Sequence, residues 1–321
     1  MISRLSRLDP HIYALAILCV VVASIPIFRD PFYMYMASLF MILSMFSLSY
    51  NILFGYAGLL SFGHALFYAA GAYALAIFTR DVYRDPLVGT AVAIGVSLAL
   101  SLIIGFLTLR HSRIYFSMLT LAFGMLLYAL LLKWRSFTGG SDGISGIPRL
   151  GVLINISDPI ARYYYIYIFF LVALVSLYIL HRSKLGLLIR SLGANEDFVP
   201  FTGHSIFRLR MVAFIISGTV AGAAGALYAI LMGAITPDLA YWTTGAEPLL
   251  ATLIGGAQFF TGPIIGSLVV IFLTTYVARW ADIWQLILGS ILAALILGSR
   301  GGILEVVDRL WRARRYSGLR I

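Results

Sequence analysis

The chain has 321 residues, of which 61% are hydrophobic and 11% charged, with a formal net charge of +10. Soluble domains carry about 25% charged residues, and a chain this apolar, with a mean hydropathy of +0.96, cannot cover itself with polar surface, so lipid is its solvent. The positive charge does not indicate nucleic acid, because the basic residues sit at the ends of apolar runs, and the single Cys19 excludes a disulfide framework.

Arg4 and Arg7 precede the first apolar run, and no small-residue cleavage site follows, so the reading is a retained span rather than a signal peptide. Apolar segments then fall at 11–28, 32–54, 63–79, 87–109, 114–133, 163–181, 210–232, 248–259, 263–279 and 283–298. Most have the ~20 residues that a spanning helix needs. The segment at 248–259 is too short to span alone and predicts a half-helix or a steeply broken one. The expected fold is an all-α integral membrane bundle of about 8–10 spans with broken or re-entrant segments. It forms one transmembrane domain over 1–321, with loops at 134–162 and 182–210 and a basic tail at 299–321.

The stretch GYAGLLSFG at 55–63 is rich in small residues. Irregular backbone at that depth survives only when it is buried in protein or lines a cavity. Small-residue spacing in GYAGLLSFGHALFYAAGAYA echoes GTVAGAAGALYAILMGA at 218–234. The echo fits either an internal repeat or the small-residue packing common between membrane helices.

Arg and Lys placement fixes an expected orientation. One side carries Arg4, Arg7, Arg110, Arg113, Arg182, Lys184, Arg190, Arg208, Arg210 and the tail from Arg300 to Arg320. The other carries fewer basic residues, partly balanced by Asp30, Asp81, Asp85, Asp142, Asp158 and Asp282. Both termini and the 182–210 loop are therefore expected in the cytoplasm, with 134–162 on the far side. In TGGSDGISGIP at 138–148, four glycines imply tight turns, in a structured cap or a loose connector.

The stretch LGLLIRSLGANEDFVPFTGHSIFRLR at 185–210 is the one long polar interruption with a helical pattern. A helix is expected from near Leu185, carrying Arg190 and breaking at Gly193; Pro200 and Gly203 prevent a long continuation. Asn195, Glu196 and Asp197 follow it, and a basic strip beside an acidic cluster suits docking onto a soluble partner.

No catalytic constellation emerges. His64 has no carboxylate or Cys at metal-ligand spacing, and His111, His181 and His204 lie at span ends. The phosphate-binding pattern GxxxxGK[ST] is absent, so ATP hydrolysis is not expected of this chain. Asn51, Ser61, Thr120 and Gln258 are the polar residues read inside spans, with Glu247 at a span mouth. Such groups either serve function or bond neighbouring helices.

The chain resembles the membrane permeases of branched-chain amino-acid ABC importers, in particular the M-type subunit. The resemblance rests on NILFGYAGLLSFGHALFYAAGAYA at 51–74, RIYFSMLTLAF at 113–123, TGGSDGISGIP at 138–148, LGLLIRSLGANEDFVPFTGHS at 185–205, AFIISGTVAGAAGALYA at 213–229 and LIGGAQFFTGPIIGS at 253–267. It implies a type II importer permease of the bacterial inner membrane without catalysis of its own. Two homologous permeases would pair as a pseudo-twofold heterodimer. Two cytoplasmic ATPases would hold ATP and Mg, and a periplasmic binding protein would deliver substrate. The coupling surface would be 185–205, with Arg190, Gly193, Asn195, Glu196 and Asp197. The expected pathway residues are Asn51, Gly58, Leu59, Ser61, His64, Thr120 and Gln258. Family members usually carry Gln where this chain has Leu59, and the run from Gly298 to Gly302 replaces a usual Phe-Pro-Arg-Gly-Leu. Branched-chain or other hydrophobic amino acids are the expected cargo; urea, short amides and aromatic or organic acids are the alternatives within the same machine. A stand-alone channel or secondary transporter would need buried charges, of which the spans contain almost none, and a membrane enzyme would need a cluster of His, Asp, Glu or Cys.

Overall fold

The structure is a computed structural model that describes residues 10–110, 113–277, 286, 289–290 and 301–305. The expected span at 283–298, the basic tail, His111 and the N-terminal arginines lie outside the described residues or nearly so.

Helix α1 (Pro10–Ser24) ends in a 3-10 turn, Ile25–Phe28. Helix α2 (Pro31–Asn51) continues as a π-turn over Ile52–Tyr56. After an irregular passage come α3 (Ala65–Asp81), α4 (Pro86–Thr108), α5 (Arg113–Lys133) and the short α6 (Arg135–Thr138). Helix α7 (Pro159–Arg182) turns sharply into α8 (Lys184–Ala194), and α9 (Ile206–Met232) follows. Helices α10 (Trp242–Gly255) and α11 (Gly262–Phe272) form a hairpin, and α11 ends in a π-turn, Leu273–Val277. Among the described residues five helices are long and apolar enough to cross a membrane: Pro31–Tyr56, Pro86–Thr108, Ile114–Lys133, Pro159–Arg182 and Ile206–Met232. The short segment expected at 248–259 is α10, which starts six residues earlier and contains Pro248. At 14 residues it reaches about 21 Å, short of a full crossing.

Three helices start the same way. Asp30, Asp85 and Asp158 each precede a proline, and each carboxylate accepts from backbone N–H groups of the first turn of α2, α4 or α7. The proline needs no hydrogen bond at the first helical position, and the aspartate satisfies donors that would otherwise be orphaned. All three caps lie at one end of the bundle. There β1 (Ile144–Ser145) pairs antiparallel with β2 (Ala234–Ile235), and Arg149 donates to the carbonyls of Ile230 and Leu231 at the end of α9. The opposite end carries α8.

The centre is packed through small residues. A β-carbon at Gly71 of α3 would collide with the Gly222 carbonyl of α9, and one at Gly225 with the Tyr68 carbonyl. The two small-residue stretches that echo one another in sequence therefore pack against each other. Close backbone approach of this kind drives helix association where no hydrophobic effect operates. Buried hydroxyls along the spans, including Ser97, Ser101 and Thr108, donate to carbonyls one turn back.

Asp85 does more than cap. Its Oδ1 accepts from Leu87 and Val88, and its Oδ2 accepts from Leu153 at 2.6 Å, which clamps the 150–155 loop to the start of α4. Burial alone would raise its pKa, but the N–H groups of Leu153, Val88, Leu87 and Ile154 together outweigh burial and hold it below the usual carboxylate range. Asp85→Ala should therefore lower stability by about 1–2 kcal/mol, read as a reduced unfolding midpoint in detergent. Because the folded-state pKa is depressed, the stabilisation is complete above the ordinary carboxylate pKa and disappears as pH falls through the folded value. Asp85→Asn should flatten that acid limb; an unchanged limb would show that the clamp does not form.

Candidate functional site

The break between α2 and α3 is where the bundle departs most from ideal helices. The π-turn ends at Tyr56, and Gly58 takes φ +66°, a left-handed conformation that glycine adopts without a steric penalty. The Leu59 N–H reaches back to the Leu53 carbonyl at 2.8 Å, and Ser117 of α5 donates to the Leu60 carbonyl at 2.6 Å. The expected irregularity over 55–63 is thus present, and its freed backbone groups find partners inside the protein. Gly63 lies so close to the Thr120 carbonyl that a β-carbon there would overlap it.

Six of the expected pathway residues gather here. Asn51, Leu59, Ser61, His64 and Thr120 are buried, and Gly58 is half-buried. Leu59 is turned into the core, and the open side chain of the segment is Phe62. His64 Nε2 lies 3.0 Å from Ser49 Oγ, whose proton goes to the Phe46 carbonyl. The imidazole therefore donates through Nε2 and keeps Nδ1 as an acceptor. Its ring stacks on Phe46 and meets Tyr50 edge-on, with centroids 5.4 and 5.3 Å away. His64 Nδ1, Ser61 Oγ and Asn51 Oδ1 have no hydrogen-bond partner, an unusual density of unpaired buried polar atoms. Thr120 bonds its own helix, through Oγ1 to the Ser117 carbonyl. Gln258 departs from expectation: it is exposed in the turn between α10 and α11 rather than inside a span. Helix α10 ends at Gly255 and Gly256 takes φ +110°, so the apolar run continues into a turn. Among the described residues no three His, Cys, Asp or Glu side chains come together as a metal site.

The break is joined directly to α8. Ser183 caps α8 by accepting from the Gly186 N–H at 3.0 Å. The helix then runs through Gly193 to Ala194 rather than breaking at Gly193. Gly193 instead permits contact: a β-carbon there would overlap the Tyr56 carbonyl. The Tyr56 hydroxyl lies 2.6 Å from His181 Nδ1, and Arg190 Nη1 lies 2.8 Å from the same nitrogen. Arg190 also lies over the Tyr56 ring, a cation–π arrangement. Phe260, in the α10–α11 turn, packs on both Tyr178 and His181.

Beyond α8, Asn195 caps a short turn by accepting from the Asp197 N–H. The two acidic residues separate. Asp197 is exposed, while Glu196 forms a 2.6 Å ion pair with the buried Arg210 of α9. Charge reversal at Glu196 would therefore break a bond within the chain. The exposed apolar groups of this loop are Leu187, Phe198 and Phe201, the last 84% exposed, and the two phenylalanine rings lie 5.9 Å apart. Reading the loop as a polar interruption passed over them, although two aromatics three residues apart in a Pro- and Gly-broken loop were the available signal.

Residues 32–297 match the family described as Branched-chain amino acid transport system / permease component. The chain is 28% identical to the high-affinity branched-chain amino acid transport system permease protein LivM of Salmonella typhimurium, across 84% of this chain and 69% of that one. It is 27% identical to LivM of Escherichia coli over the same shares. A more distant likeness, 24% over 63% of this chain and 64% of the other, links it to the ribose import permease protein RbsC of Escherichia coli. No solved structure matches. The matched region takes in the α2–α3 break, α8 and its loop, and the α10–α11 hairpin, and the chain belongs to the family of branched-chain amino-acid transport permeases.

Proposed function

We propose that this chain forms half of the translocation pathway of an ATP-driven importer for branched-chain or other hydrophobic amino acids. A second homologous permease supplies the other half, two cytoplasmic ATPases bind below, and a periplasmic binding protein delivers cargo above. ATP and Mg belong to the ATPases; this chain binds neither and carries out no chemistry. In this reading it lies in a bacterial inner membrane with both termini and α8 on the cytoplasmic side. The amino-acid reading is favoured over a sugar because the amino-acid permeases match a larger share of the chain than the ribose permease does.

The observation that carries the reading is the contact between α8 and the α2–α3 break. Closure of the ATPases would displace α8, and the Gly193–Tyr56 contact would pass that displacement to the break. The bundle would then alternate between two packings around its central path, as expected when packed helices are bistable. Phe198 and Phe201 project from the α8 loop as paired apolar knobs suited to a groove on a soluble partner. Aromatic side chains of this kind carry much of the energy of an interface.

Two tests follow in cells that express the chain with its operon partners. Phe198→Ala with Phe201→Ala should remove about 2 kcal/mol or more of docking energy. Membrane levels would hold, while ATPase co-purification and transport would fall sharply; normal co-purification would place the docking surface elsewhere. Gly193→Ala separates helix stability from coupling. Alanine favours α8 by up to about 1 kcal/mol, yet its methyl group must push α8 off the Tyr56 carbonyl. Transport should fall with the ATPases still bound, and unimpaired transport would show that the contact does not transmit motion.

A further inference from the structure

Helix α10 carries one carboxylate, Glu247. Glu247 shares a face of that helix with Ala251 and Ile254, four and seven residues further on, and both of these are fully buried. Its side chain therefore points toward the bundle. It is nonetheless exposed, on a helix packed against α2, α3 and α11. A side chain that points inward and is still exposed stands in a recess. Ionisable groups at such depth are rare and occupy water-filled cavities that serve function.

The recess is walled by aromatic residues. Tyr68 of α3 and Tyr228 of α9 lie near enough to Glu247 for its charge to act on them, and Tyr35 of α2 lies near enough to act on Tyr228. The Tyr68 and Tyr228 rings lie 5.7 Å apart, and the Tyr35 hydroxyl reaches Met232 at 3.6 Å. Tyr35 and Thr243 are exposed, so the recess opens toward the end that carries β1 and β2. Among the described residues Glu247 makes no hydrogen bond and no ion pair, and no cationic side chain neutralises it.

We propose that Glu247, with Tyr35, Tyr68 and Tyr228 around it, forms a site for an organic ammonium group, such as the α-ammonium of an amino acid entering the pathway. A single carboxylate offers too few oxygens to hold a divalent metal. Tyrosine faces beside it favour a cation that is large and weakly hydrated. The site selects zwitterions and organic cations over carboxylate anions and neutral amides. It rests on the importer reading for the claim that the ligand is cargo, but the electrostatics of the recess are testable without it.

The first measurement uses Thr243→Cys in a Cys19→Ser background, one turn from Glu247. The thiol is labelled in the assembled complex with a cationic trimethylammonium methanethiosulfonate and with the anionic sulfonate reagent. Glu247→Gln should lower the cation-to-anion rate ratio several-fold. Isopentylamine should protect the thiol in a Glu247-dependent way, and sodium chloride of equal ionic strength should not. An unreactive thiol, an unchanged ratio or equal protection by sodium overturns the site. The second measurement is leucine uptake by the complete importer. Isopentylamine, which keeps only the ammonium, should compete, and 4-methylpentanoate, which keeps only the carboxylate, should not. Glu247→Gln should weaken amine competition about tenfold, as expected for loss of one charge-assisted contact, while Glu247→Asp retains most of it. Equal competition by the carboxylate overturns the site. If the wild type takes up no leucine but the labelling ratio still depends on Glu247, the amino-acid reading fails and the cation site stands. If leucine is taken up and both readouts ignore Glu247, the site fails and the importer reading stands.

Discussion

Backbone polarity in an apolar solvent is the constraint on which this structure depends. Each N–H and C=O at membrane depth must find a partner in the protein, and the chain satisfies that rule almost everywhere with helix. The exception is the passage from Tyr56 to His64, where helical bonding is given up over several residues. It survives because glycines let other backbones close in on it. Gly63 sits on the Thr120 carbonyl of α5, Gly193 of α8 sits on the Tyr56 carbonyl, and Ser117 bonds the Leu60 carbonyl. A break held this way is tied to two separate helices, α5 and α8, so neither moves far without it.

The two ends of the bundle are built differently, and the difference fits the proposed division of labour. At the β1–β2 end, aspartate caps, Arg149 on the last carbonyls of α9, and the four left-handed glycines between Gly139 and Gly146 make a closely bonded surface. At the α8 end, the internal bonds gather in one cluster, Tyr56 with His181 and Arg190, and in one ion pair, Arg210 with Glu196. Among the groups outside that cluster, Phe198 and Phe201 are apolar and exposed. One end is thus a rigid rim, and the other presents a short helix on a small polar fulcrum.

Much of this was legible in the sequence, for identifiable reasons. Apolar runs of spanning length, the small-residue stretch at 55–63 and the polar stretch at 185–210 are signals of composition, and composition survives without knowledge of neighbours. What depends on neighbours did not show. Pro248 and the polar residues before it disguised the start of α10, because proline is tolerated in a membrane helix when surrounding groups satisfy the freed carbonyl. The apolar run through Gln258 hid a turn that Gly256 makes possible. Gly193 read as a helix breaker, whereas its lack of a side chain serves the contact with Tyr56. Asp30, Asp85 and Asp158 balance basic residues on their side of the chain, yet each Asp-Pro step is also a local, readable signature of a helix start. Leu59 drew attention as a departure from the family pattern, yet the structure buries it and opens Phe62 instead. The inward face of Glu247 becomes visible only once α10 has a register.

The central claim is that α8 and the α2–α3 break move as one body. Spin labels at Ala194 and Phe62, both exposed, measure that pair directly by pulsed dipolar spectroscopy in the complete complex. A second pair, Phe62 with Leu98 on the exposed face of α4, reports motion of the break against the rest of the bundle. Between nucleotide-free and ATP-trapped states, the 194–62 distance should stay constant to within about 2 Å, the scale of small helix shifts, while the 62–98 distance changes by more than that. A 194–62 distance that changes between states while the 62–98 distance stays fixed would contradict the account.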